Sequence, residues 1–90
     1  MTAAPPEKPV RLSAHADGYR SRRGFTEAEV VLAIRTNPWL PAQNNRLEAT
    51  RDFTFDDNWN GKHYGTKRVR PIFVDEPDEI VVVTVYTYFF

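Results

Sequence analysis

Six residues in one stretch hold most of the polar chemistry on offer. Lys62, His63, Tyr64, Lys67, Arg68 and Arg70 put four full positive charges and an aromatic ring within nine positions. Cations interleaved with rings suit single-stranded RNA, whose phosphates are held by charge and whose unpaired bases stack. The same residues also suit a solvated strand whose charges discourage edge pairing. Arg46 and Arg51 lie on one earlier alternating segment but differ in parity. Arg51 falls among Leu47, Ala49 and Phe53, so it reads either as a phosphate ligand or as an arginine snorkelling at a sheet margin. Near the end of the chain, Tyr86 and Tyr88 share one face of a strand, where tyrosine stacks on a base, donates to a phosphate oxygen or centres a protein interface. A metal site is not expected: there is no cysteine, His15 and His63 have no ligand-like spacing, and Asp56-Asp57 is a turn pair. Gly18, Gly24, Gly61 and Gly65 are scattered and form no phosphate-cradling loop.

Composition narrows the classes. Ninety residues with 41% hydrophobic content fit one small core and one domain. Net charge is zero, but all 12 Lys and Arg lie between Lys8 and Arg70, while Asp75, Glu76, Asp78 and Glu79 crowd one turn. Such segregation permits an anionic ligand at one pole, while overall neutrality argues against a strong, non-specific polyanion binder. Absence of cysteine favours a reducing, cytoplasmic setting. The first residues lack the apolar core of a signal peptide, and no run approaches the ~20 apolar residues of a membrane helix.

The elements that must position these groups follow from local patterns. Residues 1 to 12, rich in Pro and Ala, read as a flexible tail ahead of a single domain over 13–90. Ser13 is a good N-cap for a helix to Arg23, with Gly24 as its stop. Thr26 and Glu29 form a capping box, and Phe25 and Val30 stand at hydrophobic-staple positions, so a second helix starts at Thr26 and ends at Asn37-Pro38. Leu47 to Asp56 alternates as a strand. Asp57 to Gly61 turns the chain into a second strand, Lys62 to Val74, in which Pro71 demands a bulge or an unpaired edge position. Ile80 to Phe90 is the strongest strand of all, with Val81, Val83, Val85 and Phe89 on a core face and Thr84, Tyr86, Tyr88 and Phe90 opposite. Trp39 and Trp59 fall in loops and read as packing over the ends of the core. The expected architecture is α+β: two N-terminal helices on one face of a three- to four-stranded antiparallel sheet, the other face open.

Several short motifs together resemble a known family. They are His15-Ala16, Arg23-Gly24-Phe25-Thr26-Glu27-Ala28-Glu29-Val30, Trp59-Asn60-Gly61-Lys62 with Tyr64 and Lys67, and Ile80 to Tyr86 ending in Thr84-Val85-Tyr86. They resemble a family of small bacterial proteins grouped with RelE/ParE-like toxins, among the metal-independent ribonuclease folds that include barnase. The resemblance implies a RelE-like domain, RNA cleavage without metal or cofactor, and a small antitoxin protein as partner. It implies catalytic roles for His15, as general acid or base, and for Lys67 and Arg51, which would stabilise the phosphate. Arg46, Lys62, Tyr64 and Tyr86 would place the RNA substrate. One position departs from the family pattern: Tyr19, with Arg20 beside it, stands where an arginine is common four residues after the histidine. The alternative is a non-enzymatic protein-interaction module that uses the tyrosine face.

Overall fold

The computed structural model describes residues 8–90. Residues 1–7 of the expected tail lie outside the described residues, and the tail's last residues include a strand, β1 (Val10–Leu12). Three short helices follow: α1 (Ala14–Gly18), α2 (Arg20–Arg23) and α3 (Glu27–Thr36). The remaining strands are β2 (Leu40–Pro41), β3 (Leu47–Glu48), β4 (Arg51–Trp59), β5 (Lys62–Asp75) and β6 (Ile80–Phe89). A single 3-10 turn, Gln43–Asn45, separates β2 from β3.

This corrects the expected architecture. In place of two helices on a three- to four-stranded antiparallel RelE-like sheet, strands dominate. They form a six-stranded mixed sheet in the order β1-β6-β5-β3-β2, with β4 also on β5. Two physical causes account for the difference. Val10 to Leu12 adds to β6 in parallel, Leu12 opposite Val82, because its apolar side chains pack against the core and Arg11 reaches Glu79. The expected first helix breaks at Gly18-Tyr19: the Tyr19 N–H turns back to the Ala16 carbonyl, and α2 starts afresh.

Local chemistry explains the surviving elements. Ser13 caps α1 by accepting from the Ala16 N–H at 3.1 Å. The capping box of α3 is complete, Thr26 accepting from the Glu29 N–H at 3.2 Å and Glu29 from the Thr26 N–H at 2.9 Å. Phe25 and Val30, the staple pair, are both buried. The β4–β5 hairpin turns at Asn60 (φ 52°) and Gly61 (φ 82°), two positive-φ positions as a two-residue hairpin turn requires. Pro71 lies where β3 gives way to β4 on one edge of β5. Glu48 stands opposite Ile72 and Arg51 opposite Val69, an unbroken register in which the Ala49 N–H reaches the Pro71 carbonyl but proline returns no N–H.

All three helices cover one face. Ala16, Phe25, Val30 and Ile34 pack there against Val69, Phe73, Ile80, Val82 and Val85. The parity expected of β6 is corrected by a register shift: Ile72 pairs with Thr84 but Phe73 with Val82, leaving Val83 as an extra residue. Ile80 and Val82 therefore take the core positions expected of Val81 and Val83. Trp39 docks on Phe73 at 5.0 Å and donates to the Ile34 carbonyl, and Trp59 stacks on Phe89 at 4.8 Å. Among the described residues no helix is long and apolar enough to cross a membrane.

Among the described residues one charged side chain is buried in this covered layer. Lys67 is 7% exposed; its Nζ donates to the Gly24 carbonyl at 3.0 Å and pairs with Glu29 Oε2 at 2.7 Å, tying the end of α2 to the start of α3. Removing the cation leaves the 19% exposed Glu29 carboxylate with only its capping-box hydrogen bond and the Gly24 carbonyl without its donor. Lys67→Met is expected to cost about 2–3 kcal/mol in urea unfolding, and adding Glu29→Gln should recover part of the loss. An unchanged midpoint in the single variant would contradict this role.

Candidate functional site

The uncovered face carries an ordered row of rings and ions. β6 presents Tyr86 and Tyr88, 41% and 44% exposed, with Phe90 beyond the end of the strand at 55%. β5 places Arg70 opposite Tyr86 and Arg68 opposite Tyr88. Carboxylates from the neighbouring strands hold both arginines flat. Arg70 forks onto Glu48 at 2.8 and 2.9 Å, and Arg68 onto Asp52 at 2.7 and 3.0 Å. Hydrogen bonds from Arg70 and Arg68 keep the Glu48 and Asp52 carboxyls below their ordinary pKa, against a smaller upward push from desolvation. The Arg68 guanidinium also lies 5.0 Å from the centre of the Phe90 ring.

A second line of groups wraps the edge of β6. Beyond Val82 no described strand pairs with that edge, and the helix layer satisfies it instead. Ser13 donates to the Val83 carbonyl at 3.1 Å, and Arg23 donates through Nη1 to the Val85 carbonyl at 2.8 Å and Thr84 Oγ1 at 3.1 Å. The Val85 carbonyl is available because Val85 faces Pro71 in a narrow pair, without hydrogen bonds to β5. The Arg23 guanidinium lies 4.2 Å from the Tyr19 ring centre and 5.2 Å from that of Tyr86. His15 meets the Tyr19 ring at 4.8 Å, and Arg70 stands 5.6 Å from Tyr86 on the open face. Rings and guanidinium groups thus form a continuous ladder, His15, Tyr19, Arg23, Tyr86, Arg70, from the helix layer to the open sheet.

Beside this ladder Gln43 and Asn44 form one wall of a half-open groove of about 590 Å³ bordered by Arg46, Glu48, Arg70, Ile72, Thr84 and Tyr86. Among the described residues no three His, Asp or Glu side chains converge as metal ligands would.

The seven residues singled out from sequence are distributed over three places. Arg46 and Tyr86 meet at the groove, and exposed His15 joins them through Tyr19 and Arg23. Lys67 and Arg51 lie instead on the helix-covered side. Lys67 is engaged with Gly24 and Glu29, while Arg51 donates to Thr36 Oγ1 at 2.8 Å near the end of α3. Lys62 and Tyr64 lie near the hairpin tip, with Lys62 Nζ 5.5 Å from the Tyr64 ring and Tyr64 5.8 Å from Phe89. Tyr64 is six residues along β5 from Arg70, about 20 Å of strand. Sequence reasoning missed Arg23 and Glu48. Arg23 stood in the sequence as the last residue of a helix, and its contacts with Thr84 and Val85 span 61 and 62 positions that no local pattern encodes.

No family model matches the chain, and no curated protein or solved structure matches it either.

The two carboxylate forks carry a pH dependence of defined sign. Because folding lowers the pKa of Glu48 and Asp52, their stabilisation is complete above the unfolded-state values and vanishes as acid protonates them. The melting temperature should fall between about pH 5 and pH 3. Glu48→Gln should flatten that fall more than Asp52→Asn, since Glu48 is 17% exposed and Asp52 45%. Identical profiles in both variants and the wild type would contradict the assignment.

Proposed function

We propose that this domain acts on single-stranded RNA, bound along the aromatic row and the β6 edge, and cuts it without metal in the manner of a toxin-type endoribonuclease. The observation that carries the reading is the ladder from His15 to Arg70, because it joins a proton-transferring imidazole, stackable rings and a cation with no carboxylate partner among the described residues. Arg23 is that cation: the contacts it makes are to a hydroxyl, a carbonyl and two rings. Metal-free cleavage needs such groups. His15 takes the proton of a 2′-hydroxyl as its oxygen attacks the adjacent phosphorus; the bond to the 5′-oxygen breaks, and that oxygen is protonated from solvent. Arg23 stabilises the charge gathering on the phosphoryl oxygens. Lys67 and Arg51 are assigned no contact with RNA: Lys67 holds the Gly24 carbonyl next to Arg23, and Arg51 holds the end of α3 through Thr36.

A second reading has its own support. Glu48 and Asp52 already neutralise Arg70 and Arg68, so the centre of the open face is aromatic and close to neutral. A small protein partner of the antitoxin kind fits such a surface, since tyrosines flanked by paired charges are typical of protein interfaces.

End-labelled single-stranded RNA incubated with the protein in a chelator separates the two. The expected result is cleavage leaving 2′,3′-cyclic phosphate ends, reduced about 100-fold or more by His15→Ala. Arg23→Gln should weaken binding and lower the salt dependence by about 0.7 in log–log slope, the loss of one phosphate contact on a single strand. Binding without cleavage would overturn the catalytic part. Absence of binding would overturn the RNA reading and leave the protein interface.

A further inference from the structure

We infer that the groove beside the Gln43–Asn45 turn is a nucleotide subsite that holds a phosphate on Arg46 and a base beside Tyr86. The inference takes its ligand class from the RNA reading above and adds a pocket, a pose and a specificity surface.

Size comes first. A groove of about 590 Å³ lies within the roughly 300–1,000 Å³ typical of small-molecule sites, and it is set into the otherwise flat open face of a sheet. Its wall is built deliberately. Asn44 and Asn45 both hold φ of 59°, a left-handed conformation that asparagine tolerates better than most residues, and the Arg46 N–H closes the turn on the Gln43 carbonyl. The Ala42 N–H in turn bonds the Arg46 carbonyl at 2.8 Å, so Arg46 leaves the turn from a fixed backbone.

Charge decides the kind of ligand. Arg46 and Arg70 line the groove, Arg23 reaches its rim at Thr84 and Tyr86, and among the described residues the lining holds a single carboxylate. Glu48 is that carboxylate, and Arg70 occupies both its oxygens. Arg23 spends its Nη1 on neutral oxygens, and Arg46 has no carboxylate partner among the described residues. Positive charge therefore remains at the groove, and an arginine fork matches two phosphate oxygens better than a lysine point charge does.

The remaining surfaces suit a base. Ile72 forms an apolar floor, the Tyr86 ring is partly exposed at the side, and the Gln43 and Asn44 amides offer both donors and acceptors to a base edge. An acidic peptide is less well matched, because it needs cations spaced along a track. The next arginine on the face, Arg68, is already neutralised by Asp52.

The test is titration of the full chain, followed by isotope-edited NMR, with uridine and adenosine 5′-monophosphates, the parent nucleosides, inorganic phosphate, a poly-glutamate peptide and a short single-stranded RNA. The expected result is that a monophosphate binds at least tenfold more tightly than its nucleoside or free phosphate, shifts the Arg46 and Tyr86 signals, and loses at least tenfold in affinity in Arg46→Gln. Arg46 lies at the end of the Gln43–Asn45 turn, so the variant is expected to fold; an unchanged melting temperature verifies that. Tighter binding by poly-glutamate, or equal affinity in Arg46→Gln, would overturn the subsite. RNA binding retained with no monophosphate binding would overturn the subsite alone. Monophosphate binding without RNA binding would overturn the RNA reading alone.

Discussion

Proline 71 sits in the middle of the longest strand, and the rest of the sheet is arranged around the hydrogen bond it cannot donate. On one side of β5 the ladder opens at Ala49 and Thr50, so that a geometrically continuous partner is divided into β3 and β4. On the other side Pro71 falls in a narrow pair with Val85, where no donor is needed. That placement turns the Val85 carbonyl outward to Arg23. Two residues further on, the extra residue at Val83 resets the faces of β6, giving Val82 and Val85 to the core while Thr84, Tyr86 and Tyr88 look outward. The groove, the aromatic row and the edge ladder all depend on these two local irregularities.

The helix layer contributes position more than chemistry. α2 has only four residues and cannot hold its own conformation, so tertiary contacts must hold it. Gly24, at φ 71°, ends it in a left-handed cap, and a Cβ there would stand 2.7 Å from the Trp59 ring. Lys67 takes the Gly24 carbonyl from below, and Thr87 donates its hydroxyl to the Arg23 carbonyl. Backbone atoms on both sides of the junction are therefore fixed, and the Arg23 side chain leaves from a rigid point. Such support from surrounding groups is what a site needs if its cation is to meet a ligand without reorganising.

Much of this was legible in the sequence where the determinants are local. Ser13, Thr26, Glu29 and Gly24 mark helix ends through interactions within a few residues, while the turn expected over Asp57 to Gly61 narrows to Asn60-Gly61 because β4 runs on through Trp59. The alternation from Leu47 to Asp56 was readable as one strand; the structure keeps one register across the gap at Ala49 and Thr50 as far as Thr54, and a bulge before Asp57, with Asp56 at φ 45°, then shifts it. Pro71 announced an irregularity, but it lies at neither a bulge nor an edge: it pairs in register with Val85 inside the sheet, and its missing donor falls at the gap between β3 and β4. Three features were not legible. Val10 to Leu12 is too short to declare itself a strand without the β6 edge it joins. A bulge at Val83 leaves no trace inside a run of valines, so parity counted through it put Val81 and Val83 on the wrong face. The burial of Lys67 depends on a carbonyl 43 positions away. A lysine of that parity, sharing a face with Val69 and Phe73, was the one hint that it belonged inside.

The account stands on the claim that ligands meet this protein on the open face and the adjoining β6 edge, not on the helices. Chemical-shift mapping of the isotopically labelled protein with a short single-stranded RNA tests it most directly. The account predicts perturbations grouped at Arg23, Arg46, Thr84, Tyr86 and Tyr88, with the outer surface of α3 around Val31 and Leu32 unchanged. Perturbations confined to α3, or spread evenly over every exposed cation, would contradict it.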